Sequence, residues 1–549
     1  GLWLWRRGAR PPALWTGAML GGPRIALGPR VSPDGSMLAV QAMVDGLTQV
    51  AVMRPETGNW MVLTRETTRG QVMEISWSRD GSRLFYDRHT DSPRGVFSIG
   101  VLGGDERSVI EEAGFPEALP DGSLIVARIN SGRQLQIHRF WPDNGRLRPY
   151  DAELRANISG TPMRVFPDGK EVVFLGKSLG AAGEDRLCAL DVETGKVRPI
   201  APGLSIPVVN NLFPLAATPD NDFVLINLPS GNLHRIVRIP RHGSGVPVEP
   251  MFTLTLIPWY LDVGSDETLY LEQIDQPCEI LRLKADGGGL ERMAASPAFR
   301  FGAIAGFDSA ALVPAELAGR PRVLFAEPGQ DPKLLVDSGD DTGPPMTPLG
   351  PDAAVVMLGK RPNRAPAVVS VPGGRVLRRL RGPAAEIMSL SASPDGRTLY
   401  YTAERTIWAL PIDGGEPRRI APGDVVTASP NGRELIAQLN ETGGSRLVRI
   451  PLGPGPPVDV ALNGGLRLTA SAIGPNAVAA DGRILIQTAS ADSWYWSAAI
   501  LDPARGEARR IATDYAGDLF FAGWTRDSRI VSVTSLNTTI GRELNLLDA

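Results

Sequence analysis

The tetrapeptide Ser32-Pro33-Asp34-Gly35 is the first of a series of short turn sequences that recur along this chain of 549 residues. Most copies combine Pro, Asp or Asn, and Gly, and the clear ones are Ser32-Pro33-Asp34-Gly35, Ser78-Arg79-Asp80-Gly81, Pro120-Asp121-Gly122, Pro167-Asp168-Gly169, Ser393-Pro394-Asp395-Gly396, Ser429-Pro430-Asn431-Gly432 and Ala480-Asp481-Gly482. Weaker copies are centred on Asp220, Asp266, Asp308, Asp352 and Asp527. The period is about 45 residues, which is typical of repeat proteins built from four-stranded units.

The first repeat unit shows how such a turn is flanked by strands. Pro33 and Gly35 suit a hairpin turn, because Pro presets φ and Gly accepts a positive φ. Short apolar runs of strand length follow at residues 37–42, 49–53 and 60–64, with turn-forming residues between them. With the strand that leads into the turn, each unit has four short strands. A lone sheet of this kind cannot cover both of its faces, whereas radial stacking on neighbouring sheets buries both.

The twelve units therefore predict an all-β fold of twelve four-stranded blades. The 48 prolines and 61 glycines leave few windows with a helical period. Because one ring usually closes with about four to eight blades, we predict two tandem β-propellers. Six plus six blades is the simplest partition, and seven plus five is the alternative.

On this basis the chain divides into three parts. Residues 1–12 are the end of a membrane segment and a linker, residues 13–297 the first propeller, and residues 298–549 the second. The last unit, with a strand at 544–547, lacks an outer strand. We expect the segment 13–20 to supply that strand, which would tie the two rings together through both chain ends.

Charge argues against nucleic-acid binding, and the cysteines leave the compartment open. The chain has 57 Lys and Arg against 60 Asp and Glu, a net charge of −3. No basic stripe is interleaved with aromatic residues, so nucleic acid is not an expected partner. Cys188 and Cys278 both lie in strand-like runs, and we expect two separate buried thiols. The alternative is a disulfide between different blades.

The repeats resemble those of the TolB-type and WD-repeat-like propeller family, in which the turn is followed by two apolar strands and a final Asp-Gly-Gly, as at Asp413-Gly414-Gly415. This resemblance covers residues 25–548. The opening block, residues 20–53, further resembles the C-terminal half of bacterial receptor-like serine/threonine kinases. In those proteins a cytoplasmic kinase precedes one membrane helix and an extracytoplasmic propeller. The chain itself contains no Gly-rich loop, His-Arg-Asp or Asp-Phe-Gly kinase motif.

The segment Gly1-Leu2-Trp3-Leu4-Trp5-Arg6-Arg7 fits the end of such a membrane helix, with interfacial tryptophans and a basic stop. The alternative is an ordered or frayed N-terminal tail. On the membrane interpretation, the resemblance places the propellers on the extracytoplasmic, periplasmic face of a bacterial membrane, behind a single-pass anchor. No other stretch of the sequence is long and apolar enough to span a bilayer.

The sequence offers few groups for catalysis, and we expect no enzymatic activity, no cofactor and no metal site. The four histidines, His89, His138, His234 and His242, show none of the paired spacings of a zinc site. No Gly-x-Ser-x-Gly element is present. The alternative is a propeller enzyme, a lyase or a glycan-acting hydrolase, with its site in a central channel.

Recognition is the better-supported role, and one face of each propeller is where it is expected. The loops between strands two and three, and between successive blades, share this face. The candidate ligand- or partner-binding residues on or near such loops are Trp494, Tyr495, Trp496, Arg88, His89, Arg65, Arg69, Trp259 and Tyr260. Exposed Trp and Tyr are favoured at interfaces, and three consecutive aromatic residues cannot all enter one core. The alternative is that the rings of residues 494–496 pack between blades or cap the channel.

The sequence therefore predicts a non-enzymatic module that binds a protein or a small-molecule ligand at a propeller face or channel. By resemblance it is the extracytoplasmic sensor of a membrane-anchored signalling kinase, and a structural scaffold is a further alternative. An enzyme should bring two or more His, carboxylate or Tyr groups together at one channel mouth. A binding module should instead show an aromatic or charged patch.

Overall fold

The computed structural model describes most of the chain, and its regular structure is β-strand throughout. The described residues are 16–20, 26–90, 93–155, 159–181, 183, 185–204, 206, 212–230, 233–243, 248–274, 278–300, 302–360, 364–383, 385–515, 517–535 and 542–548. No helix occurs among them, and therefore none that is long and apolar enough to cross a bilayer. The membrane segment predicted at residues 1–7 lies outside the described residues.

The strands, numbered in chain order, form ten four-stranded sheets, one eight-stranded sheet that holds two blades, and one short strand pair. The first 25 strands are β1 (Thr16–Met19), β2 (Ala26–Val31), β3 (Leu38–Val44), β4 (Leu47–Met53), β5 (Trp60–Val62), β6 (Gln71–Trp77), β7 (Arg83–His89), β8 (Pro93–Gly100), β9 (Arg107–Glu111), β10 (Gly114–Ala118), β11 (Leu124–Ile129), β12 (Leu135–Trp141), β13 (Arg146–Leu154), β14 (Ser159–Gly160), β15 (Met163–Val165), β16 (Glu171–Ser178), β17 (Arg186–Asp191), β18 (Val197–Pro199), β19 (Leu212–Phe213), β20 (Leu215–Ala217), β21 (Phe223–Ser230), β22 (Leu233–Pro240), β23 (Glu249–Leu254), β24 (Ile257–Val263) and β25 (Leu269–Ile274).

The remaining 25 strands are β26 (Cys278–Leu283), β27 (Glu291–Ser296), β28 (Ala305–Gly306), β29 (Ala311–Leu317), β30 (Arg320–Ala326), β31 (Lys333–Leu334), β32 (Thr342–Pro348), β33 (Ala353–Leu358), β34 (Ala365–Ser370), β35 (Val376–Arg379), β36 (Ser389–Ala392), β37 (Thr398–Ala403), β38 (Thr406–Pro411), β39 (Arg418–Pro422), β40 (Val425–Ala428), β41 (Glu434–Glu441), β42 (Gly444–Pro451), β43 (Val458–Val460), β44 (Arg467–Leu468), β45 (Ile484–Ala489), β46 (Ser497–Asp502), β47 (Glu507–Arg510), β48 (Phe520–Trp524), β49 (Ile530–Ser535) and β50 (Arg542–Asp548).

Ten of the twelve blades are formed by consecutive strands that pair antiparallel from the axis outward. In the first ring these are β2–β5, β6–β9, β10–β13, β15–β18 and β20–β23. In the second ring they are β28–β31, β32–β35, β36–β39, β40–β43 and β44–β47. The predicted twelve four-stranded blades are therefore confirmed.

Contacts between neighbouring blades close each ring. In the first ring the innermost strands make a circuit through β2, β6, β10, β15, β20 and β24, and β24 contacts β2 again. In the second ring the circuit runs through contacts of β28 with β32, β32 with β36, β36 with β40, β42 with β44, β45 with β48 and β48 with β28. Each ring has six blades, so the six-plus-six partition is confirmed and seven plus five is excluded.

The sixth blade of each ring combines strands that are far apart in the chain. In the first ring the order is β24-β25-β50-β1, so the last and the first strand of the chain complete it. In the second ring the order is β48-β49-β26-β27. The expected pairing of segment 13–20 with the strand near 544–547 is thus observed. The predicted division at residue 297 differs from this pairing, because β26 and β27 precede it and yet belong to a sheet of the second ring.

The repeat turn is stabilised by its own side chains. Oδ1 of Asp34 accepts hydrogen bonds from the backbone N of Ser36, at 3.1 Å, and from Oγ of Ser32, at 2.5 Å. Gly35 adopts a φ of +76°, which favours glycine at this place. Asp80 and Asp395 make the same pair of bonds in their own turns. The recurring Asp therefore stabilises the turn in which it stands.

The core lies between neighbouring blades. Ala39 and Val50 of the first blade pack in one buried cluster with Val72 and Leu84 of the second. Each sheet thus buries both faces against its neighbours, as radial stacking requires.

The two rings contact each other through the face that carries the loops between second and third strands. The backbone N of Trp494 donates to the carbonyl of Gly46 across the contact, at 3.0 Å. Nη1 of Arg133 lies 2.8 Å from Oδ2 of Asp424. Further hydrogen bonds or ion pairs at this face join Gly70 to Ala491, Arg94 to Gly443, Ile129 to Thr442, Glu153 to Arg405 and Arg155 to Glu386.

Candidate functional site in the channel of the first ring

At one position of the repeat, close to the channel, the first ring carries charged residues and the second ring does not. We define the axial position as the residue four places before the Asp or Asn of each repeat turn. In the first ring the axial residues are Arg30, Ser76, Glu117, Arg164, Ala216 and Asp262. In the second ring they are Ile304, Pro348, Ser391, Thr427, Ala477 and Gly523. One level of the first channel is therefore charged, and its counterpart in the second ring is not.

The four charged axial residues form one connected network. Nη1 of Arg30 and Nη1 of Arg164 both donate to Oε1 of Glu117, at 2.7 and 2.9 Å. Nε of Arg30 lies 3.5 Å from Oδ2 of Asp262. Arg30 belongs to the first blade and Glu117 to the third, with the second blade between them in the ring. Their contact therefore crosses the channel.

Solvent reaches one side of this network. The side chains of Arg30 and Asp262 keep 11% and 15% of their surface exposed, whereas those of Glu117 and Arg164 are buried. Buried ion pairs lose much of their attraction to the cost of desolvation unless further hydrogen bonds satisfy them. Burying this network therefore costs desolvation free energy in the first ring, and the second ring closes without such a network.

The two axial carboxylates are well supplied with donors. Besides the two guanidiniums at Oε1, Glu117 accepts the backbone N of Val165 at Oε2, at 3.2 Å. Oδ2 of Asp262 accepts the backbone N of Val31, at 2.8 Å. Burial alone would raise the pKa of Glu117, but the two arginines outweigh it and hold that pKa below its usual range. Glu117 is therefore held as the carboxylate.

Two guanidinium nitrogens of the network form no hydrogen bond to another described residue. Nε of Arg30 and Nε of Arg164 are buried, and neither has a hydrogen-bond partner among the described residues. Burial, followed by the positive charge of Arg30, lowers the pKa of Arg164, so Glu117 does not fully compensate its charge. Leaving a buried donor unpaired costs about 1–3 kcal/mol.

Glu74, on β6, lies beside the network. Among the described residues its carboxyl forms no hydrogen bond and no ion pair. The residue is 5% exposed. Burial raises the pKa of Glu74 well above its usual range, with help from Asp87 and Glu117 and against the opposing charges of Arg164 and Arg30. Glu74 therefore favours the neutral acid, which can donate a hydrogen bond.

Tyr260 and Trp259, both predicted site residues, lie in the same part of the channel wall. Tyr260 is 2% exposed, and its Oη lies 3.5 Å from the carbonyl of Met73, the neighbour of Glu74. Burial and the nearby Glu74 raise the pKa of Tyr260 well above its usual range. The ring of Tyr260 stacks on that of Trp259, with centroids 5.8 Å apart. The two aromatic side chains therefore pack next to the backbone that precedes Glu74.

His89, another predicted site residue, is connected to Glu74 through Asp87. Oδ1 of Asp87 accepts the backbone N of Glu74, at 2.8 Å. Oδ2 of Asp87 accepts the backbone N of Phe115, at 2.6 Å, and lies 3.1 Å from Nε2 of His89. The half-buried His89 ring packs edge-on against Phe115. His89 therefore adjoins the charged level.

Arg88, predicted as a binding residue, is fully buried and serves the fold. Its Nη2 lies 2.8 Å from Oε2 of Glu106, and its Nη1 donates to the carbonyl of Gly70, at 2.9 Å. The guanidinium also lies over the ring of Tyr86. This internal role was not expected from the sequence, which placed Arg88 on an accessible loop.

Arg65 and Arg69 are exposed, as surface binding residues should be. Arg69 lies 3.4 Å from Oε1 of Glu106 and over the ring of Phe97. Neither arginine belongs to the axial network. Their part in binding stays a prediction.

The aromatic loop at Trp494, Tyr495 and Trp496 is half-buried at the contact between the rings. Trp494 donates its backbone N to the first ring, as described above. Trp496 donates its backbone N to Oδ1 of Asp518, at 2.6 Å, and its ring packs edge-on against Phe520. The face that the sequence assigned to an outside partner is thus the face by which the two rings contact each other. A binding role for the loop stays a prediction.

The axial residues were not among the predicted site residues, although the sequence contains their signal. Alignment of the repeats on the turn Asp places Arg30, Glu117, Arg164 and Asp262 at one repeat position. The repeats are recognised by the residues that they share, whereas the axial position is one at which they differ. Charged residues at this axial position, which is small or apolar in the other repeats, would have identified the site from the sequence.

The described ranges contain no group of three or more His, Cys, Asp or Glu residues placed to hold a metal ion. Cys188 and Cys278 are separate buried thiols that form no disulfide among the described residues, as the sequence predicted.

Comparisons with solved structures give similarities of low sequence identity and low TM-score. No protein-family model and no curated protein matches the chain. TolB from Acinetobacter baumannii shares 17% identity over 41% of this chain, with a TM-score of 0.30. The putative TolB from Agrobacterium tumefaciens shares 14% over 48%, with a TM-score of 0.38, and the Cps50 (Swd1) propeller domain of Myceliophteria thermophila 17% over 58%, with a TM-score of 0.32. The chain spans 56% of the first of these chains and 99% of the other two. The fold assignment rests on the strand pairing of the chain itself.

Proposed function

We propose that this chain is a non-enzymatic binding module that recognises a small charged ligand in the channel of its first ring. The observation that carries this proposal is the charged axial level of the first ring beside the uncharged one of the second. Both rings close with six blades of the same build, so closure does not require these charges. Charged groups that cost desolvation energy without a need of the fold are characteristic of functional sites.

A binding role fits the chemistry of the axial level better than a catalytic role. Glu117 is held as an ion by two arginines and a backbone donor, so it is not placed to transfer a proton. The second ring offers no charged axial residue with which to build a second site.

We further propose that the module is the extracytoplasmic sensor of a membrane-anchored bacterial signalling kinase, on the periplasmic face of the membrane. Support comes from the resemblance of residues 20–53 to the propeller half of receptor-like kinases. The apolar, tryptophan-containing composition of residues 1–7 supports an anchor at this point.

The test of the binding function is a screen of small ligands by thermal unfolding of the whole chain. We expect at least one class of small charged compound to raise Tm, because a ligand that binds only the native state stabilises it by about 2.7 kcal/mol at 100 times its Kd. Arg164→Gln should abolish this shift. The matched control is Arg505→Gln in the second ring, where the side chain is 73% exposed, and it should keep the shift. A shift that survives Arg164→Gln, or a screen without any shift, would contradict the proposal.

A further inference from the structure

Hydrogen-bond donors outnumber acceptors at the axial level. Glu117 already accepts three hydrogen bonds, and Asp262 accepts the backbone N of Val31 and forms an ion pair with Arg30. Among the described residues, Nε of Arg30 and Nε of Arg164 have no hydrogen-bond partner, although Nε of Arg30 lies 3.5 Å from Oδ2 of Asp262. The carboxyl of Glu74 likewise forms no hydrogen bond within the part of the chain that the structure describes. A guanidinium can only donate, and a neutral carboxyl has a hydroxyl to donate. The site therefore presents three free donors, and the group that would satisfy them is an acceptor.

The fixed charges around these donors limit the charge of that acceptor. Two guanidiniums, Arg30 and Arg164, face two axial carboxylates, and Asp87 adds a third carboxylate from β7. These carboxylates would repel a dianion about twice as strongly as a monoanion, and the incompletely compensated Arg164 attracts the monoanion. A cation would require Glu74 to ionise and would leave both Nε donors unpaired, each at the cost of a buried unsatisfied group.

A ligand must approach these donors from the side of the network that solvent reaches. The side chains of Arg30 and Asp262 line the solvent-exposed side of the network. A carboxylate offers two oxygens with about four lone-pair directions, which suits two guanidinium donors and one hydroxyl. Bonds between ionised donors and acceptors are roughly twice as strong as neutral ones.

Building on the proposed function, we infer that the ligand of the first channel carries a compact monovalent carboxylate. The carboxylate accepts hydrogen bonds from Nε of Arg30 and Nε of Arg164, and the hydroxyl of Glu74 donates the third. Glu74 faces Arg30 on β2, Arg164 on β15, Asp87 on β7, Glu117 on β10 and Tyr260 on β24. Its ionised form would repel the ligand, so affinity should fall as pH rises through the raised pKa of Glu74.

The test is titration calorimetry of the whole chain with sodium acetate at millimolar concentration. Arg164→Gln should weaken binding about 10- to 100-fold, the effect of losing a hydrogen bond to a charged group. Glu74→Gln keeps a donor and cannot ionise, so it should bind acetate within about twofold of wild type at the lowest pH of the titration and lose the fall in affinity as pH rises. Glu74→Ala removes the donor and should weaken binding about tenfold.

Two comparison probes separate this inference from the proposed function. Inorganic phosphate should bind more weakly than acetate, and methylammonium should not bind at the site. If methylammonium binds instead, and Glu74→Gln abolishes that binding, the channel is a binding site and the carboxylate inference is overturned. If no probe shows binding that depends on Arg164, the inference and the proposed function both fail. The Glu74→Gln and Glu74→Ala pair decides the matter should Arg164→Gln not fold.

Discussion

Arg88 and Arg164 are both buried arginines of the first ring, and they differ in how completely their donors are used. Arg88 has Glu106 and the carbonyl of Gly70 as partners, and it stacks over an aromatic ring. Arg164 shares one oxygen of Glu117 and leaves its Nε unpaired. Buried polar groups are normally satisfied, so an unsatisfied one calls for an explanation such as an absent ligand. At this scale, hydrogen-bond satisfaction separates a structural arginine from a candidate binding residue.

The single residue His234 should make the stability of the protein depend on pH. It is 5% exposed, and its Nδ1 lies 3.1 Å from Nδ2 of Asn227. Burial, with the charge of Arg300 nearby, lowers the pKa of His234 from 6.5 to about 4. The unfolded chain then binds more protons than the native state between these values, so stability falls as pH drops through this window.

We expect acidification from about pH 7 to pH 4 to remove up to about 3 kcal/mol of the free energy of unfolding through His234. The measurement is Tm of wild type and His234→Gln across this pH range. The variant should lose less stability toward low pH than wild type. Parallel pH profiles for the two proteins would show that His234 is not buried as the neutral form.

At the scale of the element, the repeat turn joins strands by the same local chemistry in different blades. The turns between third and fourth strands likewise use a glycine in the left-handed region, as at Gly58, with a φ of +68°, and Gly374, with a φ of +65°. Both donate a backbone hydrogen bond to the residue four places earlier. Their surroundings differ, because a Cβ at Gly374 would overlap the carbonyl oxygen of Leu335, whereas at Gly58 nothing lies within 4 Å.

These two glycines are a matched pair for mutation. Gly58→Ala should cost about 1–2 kcal/mol, the penalty of a left-handed backbone for an L-residue. Gly374→Ala meets the same penalty and must also displace backbone, so the fall in Tm should be at least about twice as large. Thermal unfolding of both variants measures the difference. Equal falls in Tm would mean that the turn at Gly374 has room that the structure does not show.

In the whole molecule, the second ring is inserted in the chain between β25 and β50 of the first ring. One face of each ring also contacts the other ring. The first ring needs β1 and β50 to complete its sixth blade, and the second needs β26 and β27. Ion pairs such as Arg133 with Asp424 hold the facing loops together. This arrangement leaves the loops predicted to bind a partner at the contact between the rings, and it leaves the channel as the chemically distinctive feature of the first ring.

The sequence predicted the twelve blades because the turn around Asp34 recurs and its chemistry is local. The pairing of β26 with β49 was not predictable, since the sequence of β26 carries no sign that β49 is its partner and not β25. The role of Arg88 depends on Glu106 and Gly70, which only the fold brings together. The axial residues could have been found by comparing repeats at the position of Arg30, but their connection across the channel required the ring geometry.

The most direct test of where this protein binds its ligand is hydrogen–deuterium exchange of the whole chain, with and without the screened compound that raises Tm most. We expect slower exchange in peptides that cover β2, β6 and β15 of the first channel, because a ligand there stabilises these strands against local opening. Peptides covering β36 and β40 of the second channel should be unchanged. Protection confined to residues 490–496, or to the second ring, would contradict a binding site at the charged level of the first.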